Sequence, residues 1–188
     1  MSLTICVYCG SNEGSDPAYG SAAAGLARAL VSRGVGIVYG GGMRGLMGGV
    51  AKVAIEHQVP LTGIIPERFR SSRSTPPEGA TYLSVGSMQE RKEKMRNLAD
   101  AFVALPGGIG TIDEIAETLM MRSLGFHEKP LGLLNVGGFF DSFTELMRRA
   151  TGAGFMKQSL LDSLIVSDDA EALVDALIAG IKSPGNPV

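Results

Sequence analysis

The chain has 188 residues, enough to bury a sizeable core, and its 45% hydrophobic content without tryptophan is that of an ordinary globular protein. A formal net charge of −2 argues against a general nucleic-acid binder, whose domains are basic. No apolar run reaches membrane-spanning length, and the opening "MSLTICVYCGS" lacks the basic stretch and cleavage site of a signal peptide, so a cytoplasmic protein with no membrane partner is expected.

In chain order, "TICVYCG" (4–10) reads as a buried strand. Asp16-Pro17 offers an N-cap with proline at the first helical position. Tyr19, Ala22, Ala23, Leu26, Ala27 and Leu30 then recur at helical spacing through 17–33, and Gly34 closes the helix. "VGIVYG" is a second strand, "GGMRG" a turn, and 45–57 a helix of small residues. "LTGII" is a third strand, ended by Pro66. Residues 67–80 form a long polar, proline-rich loop of the kind that carries function.

"TYLSV" is a short strand, 87–99 a helix, and "AFVAL" a strand apolar on both faces. A helix over 111–124, the strand "LGLLNV", a helix over 139–150, the strand "LIV" and a helix over 170–181 follow, with 183–188 as a loose tail. Apolar strands alternating with helices predict a parallel sheet covered on both faces. The expected fold is α/β: a single Rossmann-like three-layer α/β/α domain over 1–182. Ligands of such folds bind beyond the C-terminal strand ends. That rule points to Gly10-Ser11, the run from Gly40 to Gly45, the 66–80 loop, and the run from Pro106 to Thr111.

Cys6 and Cys9 form a lone C-x-x-C with no second pair to complete a zinc site. On a strand they have opposite parity, so they read as packed thiols on opposite faces. "GGGMRG" (40–45) matches G-x-G-x-x-G, but it follows the second strand, and no acid ends the next one, as a dinucleotide fingerprint requires. Contact of Gly41 and Gly42 with an anion or nucleotide through backbone amides is the better reading.

"PGGIGT" (106–111) is a second such turn. Gly107, Gly108 and Gly110 allow close backbone approach, and Thr111 offers a helix cap and a hydroxyl. It is not a phosphate loop of the Walker type, because no lysine follows. Asp113 and Glu114 are expected in the first turn of the helix. Asp113 reads equally well as a partner of the helix dipole. Thr111, Glu114, Ile115 and Thr118 share one side, which sets Glu114 about one turn (~5 Å) from the phosphate seat, within reach of a sugar.

On the helix 87–99, Met88, Met95, Leu98 and Ala99 mark an inward stripe. Arg91 and Lys92 lie on its side, where a cation needs a partner: an anionic ligand, Glu114, or both. His57 and His127 read as surface or capping groups. The stripe Ile112, Ile115, Leu119, Met120, Met121 and Leu124 is wider than one helix face, which suggests burial from two sides and hence a subunit interface.

"MQERK" followed by "DAFVALPGGIGTIDE" resembles the paired M-x-x-R-K and P-G-G-x-G-T-x-x-E motifs of the LOG ("lonely guy") family. Its members are cytokinin-activating phosphoribohydrolases, often mislabelled lysine decarboxylases. "VYCGSNEG", "VYGGGMRGLMG", "GIIP" and "LGFHEKPLGLLNV" fall where the family has similar stretches, so the likeness covers nearly the whole chain. The resemblance implies hydrolysis of a nucleoside 5′-monophosphate to an adenine-type base and ribose 5-phosphate, in a homodimer, with no metal or cofactor. It implies Arg91 and Glu114 as catalytic residues. Substrate contacts are expected at Lys92 and along Gly107, Gly108, Ile109, Gly110, Thr111, Ile112 and Asp113, with Ser11, Gly41 and Gly42 at the other strand ends.

An arginine stays protonated, so Arg91 serves charge balance and orientation rather than general acid catalysis. Gln89, Met120, Met121 and Ser123 depart from the plant-type pattern, which leaves open whether a modified adenine or plain AMP is preferred. The alternative is a carrier of a phosphorylated ligand, similar to molybdenum-cofactor carriers, that binds without cleaving.

Overall fold

The computed structural model describes residues 3–69 and 77–181. Half of the expected polar loop (70–76) and the expected loose tail (183–188) lie outside the described residues.

Short apolar strands alternate with helices: β1 (Thr4–Tyr8), α1 (Pro17–Ser32), β2 (Gly36–Tyr39), α2 (Gly45–Glu56), β3 (Leu61–Pro66), β4 (Ala80–Val85) and α3 (Met88–Leu98). Then come β5 (Ala101–Ala104), α4 (Ile109–Ser123), β6 (Leu131–Leu134), α5 (Asp141–Gly152), α6 (Gln158–Asp162), β7 (Leu164–Ser167) and α7 (Ala170–Gly180). Among the described residues the seven strands form one sheet in the order β4-β3-β2-β1-β5-β6-β7, with every pairing parallel. The chain builds outward from β1 to β4, then returns to lay β5 against the free side of β1. That reversal opens a crevice at the C-terminal ends of β1 and β5, the usual ligand position in such sheets.

Strand parity sorts the core into two layers. Ile5, Val7 and Cys9 face α1, α2 and α7, through Leu26, Leu30, Val50 and Leu173. Cys6 and Tyr8 face the other way, toward Met95 of α3, Ile115 and Leu119 of α4, and Phe140. The two cysteines therefore lie in different layers, both free and buried, and burial pushes both thiols above their usual range.

Several element ends differ from the sequence expectation. α5 starts at Asp141 and runs to Gly152, rather than spanning 139–150. The cause is a tight turn: Gly137 takes φ +57°, and the Asn135 side chain accepts from Phe140 N and donates to Asp141 Oδ1. The short α6 was not foreseen, and part of the expected irregular loop forms a 3₁₀ turn at Glu67–Phe69.

The inward stripe of α3 also differs. Met88 and Leu98 are exposed, while Arg91 and Met95 are buried one turn apart. α3 starts at a capping box: Ser87 Oγ accepts from Glu90 N at 3.1 Å, and Glu90 Oε2 accepts from Gly86 N at 2.7 Å. This cap fixes the helix that carries Arg91. Ser87→Ala is expected to lower the unfolding free energy by about 1 kcal/mol, read as a lower midpoint in urea at unchanged m-value.

Candidate active site

Four segments converge at the C-terminal edge of the sheet, as the fold requires. Ser11 after β1, Gly40, Gly41 and Gly42 after β2, and Arg91 of α3 line a cleft of about 550 Å³. Its remaining wall is largely apolar, built from Met43, Met47, Met88, Ile65 and Phe69. Tyr82 adds a hydroxyl that shares a 3.1 Å hydrogen bond with Tyr39. Ser11 also borders a smaller hollow of about 240 Å³, lined by Pro106, Gly107 and Gly108, with Tyr19 and Phe139 behind. The two glycine turns thus open on neighbouring hollows that share one serine.

Arg91 and Glu114 form the charged centre. Arg91 Nη1 donates to Glu114 Oε1 at 3.1 Å, and Arg91 Nε donates to the Ile64 carbonyl at 3.1 Å. Both residues are buried. Burial pushes the Glu114 carboxyl up to about 7, against the pull of the Arg91 charge and with a further push from Asp113. Such a group exchanges its proton near neutrality. Thr111, Glu114, Ile115 and Thr118 are buried together on the inner side of α4, in agreement with the spacing.

The start of α4 differs from the expectation in one respect. The helix begins at Ile109, two residues early, with Gly108 as its N-cap and no side-chain cap. Thr111 is therefore not the cap. It sits inside the first turn, and its Oγ1 occupies the space a Cβ on Gly107 would need, 2.1 Å away. Because the helix starts early, Asp113 and Glu114 fall in its second turn and the first turn holds no acid. Ile109 is 86% exposed and Gly110 is exposed, so the leading N–H groups of α4 face outward, open to an anion. Ile112 packs against the inner core layer instead.

Lys92 does not line the cleft. Its Nζ lies 2.8 Å from Asp113 Oδ2 and 2.5 Å from Glu117 Oε2, and Arg96 Nη1 lies 2.7 Å from Glu117 Oε1. With Arg91–Glu114, these pairs tie successive turns of α3 to α4. His57 caps α2, with Nδ1 3.0 Å from the Val53 carbonyl. His127 is neither a surface nor a capping group: its ring packs 5.5 Å from Phe102, and Nε2 bonds the Thr118 carbonyl at 3.2 Å. Burial, only partly offset by that carbonyl, lowers its pKa and favours the neutral ring. Sequence reasoning missed the methionine wall. Met43 and Met47 flank a glycine turn already suspected of contacting a ligand, and that proximity was the available signal.

A family model described as "Possible lysine decarboxylase" matches residues 47–177. A rice protein (Oryza sativa subsp. japonica) named cytokinin riboside 5′-monophosphate phosphoribohydrolase LOG is 41% identical over 170 residues, covering 90% of this chain and 70% of its own. The chain belongs to the LOG family. A LOG protein of Arabidopsis thaliana with the same activity in its name is 39% identical over 173 residues, covering 92% of this chain and 81% of its own. Among solved structures, the molybdenum cofactor binding protein of Rippkaea orientalis superposes with a TM-score of 0.70 at 18% identity, covering 97% of this chain and 99% of its own. At that identity the likeness establishes the fold alone.

Glu117 is the shared acid of the strut between α3 and α4, and its loss takes the counter-charge from the shielded Arg96 and leaves Lys92 with Asp113 alone. Glu117→Ala is expected to destabilise by about 1–3 kcal/mol. The effect is predicted to exceed that of Lys92→Ala when both are measured by chemical denaturation.

Proposed function

We propose that this chain hydrolyses the N-glycosidic bond of adenine-type nucleoside 5′-monophosphates, giving free base and ribose 5-phosphate. The observation that carries the reading is the buried Arg91–Glu114 pair: Arg91 lines the cleft, Glu114 lies behind it in contact with that arginine, and none of the described residues lining the cleft is an acid. Cleavage of this bond passes through an oxocarbenium-like state, which a carboxylate stabilises, either directly or by activating the attacking water. Glu114 takes that role. Arg91 orients Glu114 and balances its charge.

The phosphate is assigned to the N-terminus of α4, along Gly107, Gly108, Ile109, Gly110 and Thr111, next to Ser11. Gly41 and Gly42 line the cleft beside the sugar, and the base extends toward Met43, Met47 and Met88. Lys92 and Asp113 neutralise each other at the edge of the site. Two LOG relatives carry this activity in their names. The decarboxylase description finds no support in the cleft: a pyridoxal enzyme needs a lysine for its Schiff base, and none of the described residues lining this wall is a lysine.

We also place the protein in the cytoplasm as a homodimer. Two free thiols suit a reducing compartment. Met120, Leu124 and Phe126, at 49%, 64% and 69% exposure, offer an apolar surface on and just beyond α4 for a second copy. Analytical ultracentrifugation tests the dimer, and fractionation tests the compartment.

The deciding assay incubates the protein with AMP and with isopentenyladenosine monophosphate and measures free base and ribose 5-phosphate. Equal amounts of the two products are expected. Absence of base from both nucleotides, while a phosphorylated ligand still binds, would support a carrier instead. Glu114→Gln is expected to lower kcat by about 10²-fold or more with the fold intact.

The pH dependence has a definite sign. Glu114 acts as the anion and its carboxyl titrates at about 7, so kcat/KM should rise from pH 6 to pH 8 with a midpoint near that value. A flat profile across this range would remove Glu114 from the role.

A further inference from the structure

We infer that Gly40 is a positioning residue for Arg91: its missing side chain is the seat in which the guanidinium lies. A Cβ built on Gly40 would stand 2.1 Å from Arg91 Nη2 and 3.3 Å from Arg91 Cζ. The guanidinium is thus held on three sides: Nε by the Ile64 carbonyl, Nη1 by Glu114, and Nη2 against the bare Cα of Gly40.

The turn cannot move away to relieve a clash, because β3 pins it. Gly41 takes φ +77°, and the site of its Cβ is filled by Ile65 Cγ1 at 2.3 Å. Gly63 approaches Gly41 so closely that its own Cβ would meet the Gly41 Cα at 2.9 Å. Residues 63–65 therefore lock the turn and, through Ile64, also hold the arginine. A methyl at position 40 would also press on Met47 Sδ at 3.2 Å, but its sharpest clash is with the guanidinium, which must give way and lose its place beside Glu114. The opposing positive charge is what keeps the buried Glu114 carboxyl from rising further. Gly40 thus acts on Glu114 through Arg91, without touching substrate.

The inference concerns how the site is built, and it rests on the hydrolase reading only for its kinetic consequence. The test is direct titration of the Glu114 carboxyl by carbon-13 NMR, which needs no turnover. In the wild-type chain the midpoint is expected near 7. In Gly40→Ala it should move to higher pH, in the direction that loss of the Arg91 charge would take it. In an Arg91→Lys background, where no guanidinium occupies the seat, adding Gly40→Ala should leave the midpoint where the single lysine variant has it.

If the hydrolase reading also holds, the limb of the kcat/KM profile should move with the NMR midpoint. If the protein releases no base, the NMR result still decides the role of Gly40. An unmoved midpoint in a folded Gly40→Ala chain would overturn the inference, as would an equal shift in both backgrounds. Should Gly40→Ala alone fail to fold, the double variant is expected to fold. Failure of both would assign Gly40 to the backbone turn and overturn the positioning role.

Discussion

The structure depends on one interaction, the buried pair of Arg91 and Glu114. Neither charge could be withdrawn from water alone, since an isolated buried ion costs several kcal/mol. Together they remain costly, and the surrounding fold offsets that cost at each available atom. The Ile64 carbonyl accepts from Nε, the inner side of α4 presents the carboxylate, and a glycine leaves room for the guanidinium. The residual penalty appears as the raised Glu114 pKa. A core built only for stability would place apolar side chains here. Retaining a half-compensated acid at this edge of the sheet is what the proposed role of Glu114 would require.

The pair also explains why α3 and α4 must sit in fixed register. They belong to different crossovers, either side of β5, and both pack on the same sheet face. Their outward faces are tied by Lys92 and Arg96 through Asp113 and Glu117, and their inward faces by Arg91 and Glu114. Exposed ion pairs contribute little by themselves. Here the cations are largely shielded and Glu117 serves two of them, so the network acts as a strut that preserves a 3.1 Å contact between buried groups. Farther along α4, the Thr118 hydroxyl bonds Tyr8 and the carbonyl of Glu114, anchoring the turn that carries Glu114 to β1.

Much of this was legible in the sequence, and the parts that were not have physical causes. Apolar strand runs predicted the parallel sheet, and opposite parity of Cys6 and Cys9 predicted their separation into two layers. Spacing on α4 placed Thr111, Glu114, Ile115 and Thr118 on one buried side. The stripe on α3 failed because hydrophobicity was read as burial. Met88 faces the cleft and Leu98 faces outward, while Arg91 takes the inward position expected of it, against a partner from another element. Glu114, 23 residues on, was among the partners expected for that arginine, because a cation on an apolar side needs a counter-charge. The start of α4 was missed for a local reason: "PGGIGT" contains a good capping residue at Thr111, but glycine at 108 begins the helix sooner. His127 was misplaced because its partners, Phe102 and the Thr118 carbonyl, come together only in the folded sheet.

That early start bears on how acids can follow a phosphate seat so closely. Had the helix begun at Thr111, both carboxylates would share its first turn with the free N–H groups and oppose an anion there. Beginning at Ile109, the helix carries them one step further along, clear of its open amides. Each acid is then answered by a cation from α3: Asp113 by Lys92 and Glu114 by Arg91. The amide end of α4 keeps its positive potential, and the Glu114 carboxylate lies deeper along the same helix, one turn from the buried threonine. A ligand with an anionic end and a sugar can satisfy both at once, which neither a bare phosphate nor a free nucleoside can do.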